Sequence, residues 1–262
     1  LTTEEAHHKF IDRIGLYQGL LFQTGSHLEE ISRNQRSYAE RINSPEVALP
    51  IMFSRLHYSN PVTGKRGLSY KHSVDENNIE ETLQNLKYHY FNFVIAQCFE
   101  AFETFLKDVL SAYLSANSNN PIKVDASIDT KSFETCRESI SKYCYKGKNT
   151  YNKKLFELLY LINPKISESE SQNRIDFDFK EWYVVFSEVR HCIVHSNNEF
   201  KMSKSRNWTE FQKKVLDRLF VAETKNVYGQ ISTVTEYKYI IVIIAQHGQI
   251  IFDYLIHENE NN

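Results

Sequence analysis

The chain has 8 glycines, 5 prolines and 2 methionines in 262 residues. Glycine and proline punctuate turns, so their scarcity argues against a many-stranded sheet and for long helices. The 4 cysteines, Cys98, Cys136, Cys144 and Cys192, contain no C-x-x-C pair, which argues against a zinc ribbon or a thioredoxin-type centre. Cys98 and Cys192 fall inside apolar runs and read as small core residues. Free thiols of this kind are expected of a cytoplasmic protein. No G-x-x-x-x-G-K-[ST] or G-x-G-x-x-G occurs, so no glycine loop is present to cradle a phosphate. No G-x-S-x-G presents a nucleophilic serine. The first residues carry no secretory signal. The most apolar stretch, residues 239–245, falls far short of the roughly 20 apolar residues a bilayer requires, so no membrane association is expected. A net charge of −2 gives no overall attraction for phosphate, and nucleic acid would have to be held by a local basic patch.

Aromatic residues make up 13% of the chain, with 16 Tyr and 17 Phe, and 41% of residues are hydrophobic, enough for a sizeable core. Phe10, Ile14, Tyr17, Leu21, Leu28, Ile31, Tyr38 and Ile42 recur at helical spacing, and Pro45 and Pro50 stop that helix; Thr24-Gly25-Ser26 is a candidate kink. Residues 59–75 read as a loop. A second long helix is predicted over 76–116, shorter ones over 131–145 and 151–163, and a polar loop over 167–173. Residues 177–196 are apolar nearly all round and are expected in the core, with Asn197 and Asn198 suited to the left-handed turn that ends a helix. A helix over 208–222 capped by Asn207, a tight turn or small β-hairpin at 227–231, a last helix to about residue 256 and a frayed tail complete the pattern. The fold class is all-α: a helical bundle over 76–262 preceded by a helical extension and loop over 1–75.

The segment Glu188-Val189-Arg190-His191-Cys192-Ile193-Val194-His195 stands out. His191 and His195 lie one turn apart on one helix face, with Arg190 beside them. Burying a guanidinium without a partner is costly, so Arg190 calls for a carboxylate, a phosphate or a solvent-filled groove. Arg followed at five residues by His, with a second His directly after the Arg, resembles the signature of the HEPN superfamily (higher eukaryotes and prokaryotes nucleotide-binding domains). Residues 99–110 are similar to the first core helix of such domains, with Glu103 the better match for its Glu and Glu100 the second. The Gly229 turn and Thr235-Glu236-Tyr237 resemble the family's ending. The likeness spans about residues 80–256.

The resemblance implies an up-and-down bundle of four to five helices and, in many members, a metal-independent endoribonuclease built across a homodimer, without cofactor. It implies His195 in acid–base work, Arg190 on the phosphate, and His191 in positioning or a second proton transfer. Glu103 or Glu100 would orient Arg190. Histidine suits proton transfer near neutral pH, and a guanidinium suits charge building on phosphorane oxygens. A toxin or antiviral-defence effector is implied, with an antitoxin or regulatory protein as a further partner. Members paired with a nucleotidyltransferase-type antitoxin carry a Tyr two residues after the motif His; Asn197 stands there in this chain.

Competing readings exist for each feature. Arg190 and His195 also fit an ordinary ion pair and a helix-end histidine. A non-catalytic HEPN-fold protein binding RNA, a nucleotide or a protein partner fits the same motif. Glu188-x-x-His191 has di-iron spacing, but the other matches, at Glu4 and Glu5, sit at the N-terminus, so no metal site is expected. Two basic-aromatic segments are RNA-binding candidates: Lys146 and Lys148 beside Tyr143 and Tyr145, and Lys201, Lys204 and Arg206 ahead of Trp208. Either is equally a solvated helix face.

Overall fold

The computed structural model describes residues 1–42, 52–59, 63, 66–74, 79–117, 127–145, 151–174, 177–219 and 228–260. They form an all-α fold of eight helices with two small two-stranded antiparallel sheets. Two compact units divide it: residues 1–19 with 91–262, and residues 20–90. The division runs through the long helices α1 (Thr3–Ile42) and α2 (Ile79–Ala116). Helix α1 is continuous across Thr24-Gly25-Ser26. Pro45 and Pro50 lie outside the described residues.

In the unit of residues 20–90, Leu28 and Leu83 are buried together with Ile31 against them, and Lys87 Nζ pairs with Glu29 at 3.3 Å. Strand β1 (Met52–Ser59) pairs antiparallel with β2 (Arg66–Val74), from Met52 opposite Val74 to Ser59 opposite Arg66. The expected loop over 59–75 is therefore largely strand. Its glycines and scattered charges hid an alternation that a paired neighbour turns into a ladder.

The larger unit is organised by the second half of α2. Phe91, Val94, Ile95, Cys98, Phe99, Phe102, Phe105, Leu106, Val109 and Leu110 are all buried. Successive steps of three and one residues keep them on one broad apolar face. The start of α1 docks here. Phe10 stacks on Phe105 with ring centroids 4.6 Å apart. Gly248 lets it approach, because a Cβ there would overlap the Phe10 ring.

Around this axis run α3 (Phe133–Tyr145), α4 (Tyr151–Ile162), α5 (Pro164–Ser171), α6 (Phe179–His195), α7 (Glu210–Asp217) and α8 (Tyr237–Glu260). Helix α5 replaces most of the expected polar loop over 167–173. Asn163 caps it by accepting from Lys165 N at 3.0 Å, and Pro164 occupies its first turn. The Asn-Pro start signal is present in the sequence, while Ile166 and the hydrogen-bonded Glu170 form the buried face that the composition concealed. Helix α7 is shorter than expected and starts from a capping box of Thr209 and Gln212 rather than from Asn207. A small antiparallel pair does precede the last helix: among the described residues, strand β4 (Tyr228–Gln230) pairs with β3 (Glu199–Lys201), Phe200 opposite Gly229.

Helix α8 revises the apolar count at 239–245. Residues Tyr237–Ile256 are long and apolar enough, by length and composition, to cross a membrane, and 44% of that window is buried inside the protein. His247, which breaks the run in the sequence, is fully buried, with its Nε2 2.6 Å from Glu170 Oε1. Tyr160 donates to the other Glu170 oxygen at 2.5 Å. A buried carboxylate thus joins α4, α5 and α8.

His7 is buried, stacked on Phe252 at 4.0 Å, and its Nε2 has no hydrogen-bond partner among the described residues. Burial holds its pKa below the ordinary 6.5, and neighbouring His8 adds to the shift. The unfolded chain therefore gains a proton on His7 below that value while the folded chain resists it. Stability present above pH 6.5 is lost as the pH falls from there through the folded pKa. The Tm should drop over this window, and His7→Phe should flatten the drop. An unchanged pH slope in that variant would place the acid sensitivity elsewhere.

Candidate functional site

Helix α6 carries the motif. Asp178 caps it by accepting from Glu181 N at 2.9 Å. Phe179, Trp182, Tyr183, Val185, Phe186, Val189 and Cys192 are buried, and Trp182 stacks on Phe186 at 4.2 Å. The helix is not apolar all round in the core, as its composition suggested. Val184 and Val194 are exposed, and the stripe Lys180, Val184, Ser187, Glu188 and His191 lines a groove. These positions recur at three- and four-residue steps, so they share one face. Opposite stands a stripe of α2 formed by Phe99, Glu100, Glu103 and Lys107. Helix α4 adds Phe156, Glu157 and Tyr160, and the groove encloses about 1110 Å³.

Arg190 lines this groove and forms an ion pair through Nη2 with Glu100 Oε1. Its Nε is buried and has no hydrogen-bond partner among the described residues. Burial lowers its pKa from the ordinary value, although a guanidinium stays charged near neutrality. Glu103, the better sequence match, is not the partner. It is buried, and its Oε1 accepts from the Tyr183 hydroxyl at 3.1 Å. The reason is the antiparallel run of the two helices. Tyr183 meets Glu103, so Arg190, two turns further along α6, meets the earlier carboxylate. Burial raises the Glu103 pKa, with Lys107 and the Tyr183 hydroxyl opposing the rise.

His191 lines the groove, and His195 lies one turn beyond it, with ring centroids 4.9 Å apart. Both are exposed. The His191 pKa is lowered, first by burial and then by the charge of Lys204 and its neighbours His195 and Arg190, while Glu188 acts against the shift. Lys204 borders the groove and pairs with Glu188 at 2.6 Å. Lys201 and Arg206 are exposed on the segment that follows α6 and are not part of the groove wall. Lys146 and Lys148 lie outside the described residues. The wall includes carboxylates at Glu100, Glu103, Glu157 and Glu188 and cations at Lys107, Lys180, Arg190 and Lys204, so its charges balance.

The far end of α6 is fixed by residues that carry no motif. Asn197 and Asn198 take positive φ values of 50° and 64°, the left-handed turn that asparagine tolerates. Asn198 O accepts from Ile231 N at 3.0 Å. Asn92, fully buried on α2, donates through Nδ2 to Asn198 Oδ1 at 3.1 Å and to Ile231 O at 2.9 Å. Its Oδ1 accepts from Thr233 N at 2.8 Å and Thr233 Oγ1 at 3.0 Å. One signal marks Asn92 in the sequence: a lone amide inside the run Tyr90-Phe91-Asn92-Phe93-Val94.

Among the described residues, no group of three or more His, Cys, Asp or Glu is placed to hold a metal ion. All four cysteines are free and buried. No protein-family model, curated protein or solved structure matches the chain.

Proposed function

We propose that this chain is a metal-independent endoribonuclease of the HEPN type, acting as a homodimer. The observation that carries the reading is Arg190: a guanidinium in a groove, with one buried N–H unpaired among the described residues and two imidazoles on the adjoining turn. A phosphate brought to that edge would receive a charged donor already oriented by Glu100.

The chemistry follows from this set. The 2′-hydroxyl oxygen bonds to phosphorus, the bond to the 5′-oxygen breaks, and a 2′,3′-cyclic phosphate and a 5′-hydroxyl result. One group takes the 2′-hydroxyl proton, and another gives a proton to the leaving oxygen. His191, its pKa lowered, is mostly neutral at neutral pH and suits the base. His195 suits the acid. In-line displacement puts acid and base on opposite sides of phosphorus, whereas two imidazoles 4.9 Å apart on one helix face lie on the same side. A two-fold dimer supplies one group from each copy.

The balanced charge of the groove, which gives no net attraction for phosphate, favours a second reading, in which the same surface binds RNA, a nucleotide or a protein partner without catalysis. Incubation with RNA in EDTA separates the two. Cleavage that leaves 2′,3′-cyclic phosphate ends and disappears in His195→Ala supports the nuclease. Cleavage undiminished in His195→Ala removes the catalytic assignment, and retained binding without cleavage by the wild type favours the second reading.

A further inference from the structure

Glu103 is left without the role expected of it, because Glu100 holds Arg190. It is nevertheless an expensive residue. Its side chain is only 8% exposed, yet it lines the groove. Among the described residues the Tyr183 hydroxyl is the donor to its carboxylate, on Oε1. A carboxylate so deeply placed normally collects several donors, since its desolvation is otherwise uncompensated. Burial raises its pKa, against the Lys107 charge and the Tyr183 hydrogen bond.

We infer that Glu103 is a base-reading group, whose carboxylate accepts the paired N1–H and N2–H donors of a guanine in the groove. The inference rests on the reading of the groove as an RNA site and deepens it to a base preference. Carboxylates recognise base edges by accepting N–H donors. Guanine presents two adjacent donors on its Watson–Crick edge. Uracil presents one. Adenine and cytosine set a donor beside an acceptor lone pair, which a carboxylate repels. Glu103 lies one helical turn from Glu100 on α2, about 5–6 Å between Cβ atoms. A nucleotide with its phosphate at Arg190 thus directs its base along the groove toward Glu103. The Tyr183 ring that brings its hydroxyl to Glu103 packs against Phe99 and Phe156, with centroids 4.9 and 4.5 Å away, and all three line the groove, which offers aromatic surface for a base.

The test measures binding of GMP, AMP, CMP and UMP by calorimetry to the wild type and to Glu103→Gln. Glutamine keeps an oxygen for the Tyr183 hydroxyl and replaces the other acceptor with a donor. The wild type should hold GMP about tenfold or more tightly than the other three nucleotides, and Glu103→Gln should lose that margin. Glu103→Asp, which keeps the charge but withdraws it by one methylene, is the second variant should the first fail to fold, and it should lose the same margin. Equal affinity for all four nucleotides, or a GMP preference surviving in both variants, overturns the inference. Cleavage of RNA, followed in parallel, keeps the two proposals apart. A GMP preference lost in Glu103→Gln without any RNA cleavage upholds base reading and removes the nuclease. Cleavage with the same base indifference in wild type and variant removes base reading and leaves the nuclease standing.

Discussion

Arg190→Ala should lower the proposed RNA cleavage at saturating substrate by about two to three orders of magnitude, the range found when a single preorganised transition-state donor is removed. The fall should appear in kcat more than in KM, because in the proposed mechanism the guanidinium acts on the charge of the phosphorane rather than on the ground-state diester. Arg190→Lys should recover little of it. An ammonium carries the charge but cannot keep one N–H on Glu100 while offering another to phosphate from a fixed plane. The fold should tolerate the change. Arg190 and Glu100 side chains are 30% and 37% exposed, so water screens their attraction, and the pair contributes under about 1 kcal/mol. Glu100→Gln separates orientation from charge. It leaves Arg190 in place, and a loss of no more than about tenfold is expected for a partner that only orients the catalytic donor. Turnover that survives Arg190→Ala undiminished contradicts the assignment outright. A loss confined to KM would mean that Arg190 holds RNA without acting on the transition state.

Much of this site is legible in the sequence, and what is not has physical causes. Helical periodicity gives α2 and α6, because an apolar face must recur every three to four residues to be buried. The same periodicity places Arg190, His191 and His195 on adjoining edges of one helix. It says nothing of which residue of a second helix meets Arg190. That depends on the register of α2 against α6, and a slide of one turn exchanges Glu100 for Glu103. The openness of α6 is equally hidden. Val184 and Val194 look like core residues by type, yet each faces outward, since composition does not tell which elements cover a helix. Helix α5 was concealed by its polar residues, and the pairing of β3 with β4 by its distance along the chain. Short strands carry little pattern of their own, and pairing decides them. Lys204 illustrates a further limit. Its place in a basic-aromatic segment suggests an RNA contact, while its pairing with Glu188 makes it part of the groove wall and one cause of the lowered His191 pKa.

Asn92→Ala should destabilise the protein by about 2–4 kcal/mol, far beyond the cost of an ordinary surface change. Both functional atoms of the Asn92 amide are committed, Nδ2 to Asn198 and Ile231, and Oδ1 to the Thr233 amide and hydroxyl. Alanine removes the partner of a buried backbone N–H and of two buried acceptors. Desolvation of groups left unpaired outweighs the modest net gain from each bond when it is made. Asn92→Asp should be at least as damaging near neutral pH. It keeps the acceptor for Thr233, but sets a second carboxylate oxygen against Asn198 Oδ1 and the Ile231 carbonyl in a site without solvent. The local consequence matters as much as the global one. The Asn92 amide ties the left-handed turn at Asn197 and Asn198 to α2 and to the strand leading into α8, and that turn begins two residues after His195. Hydrogen exchange at the Ile231 and Thr233 amides should therefore accelerate in Asn92→Ala by more than the global change in stability accounts for. A variant within about 1 kcal/mol of wild type, with both amides still protected, would mean that the turn is held by its backbone bonds, from Asn198 to Cys192, Glu199 to Ser196 and Ile231 to Asn198, without the Asn92 side chain.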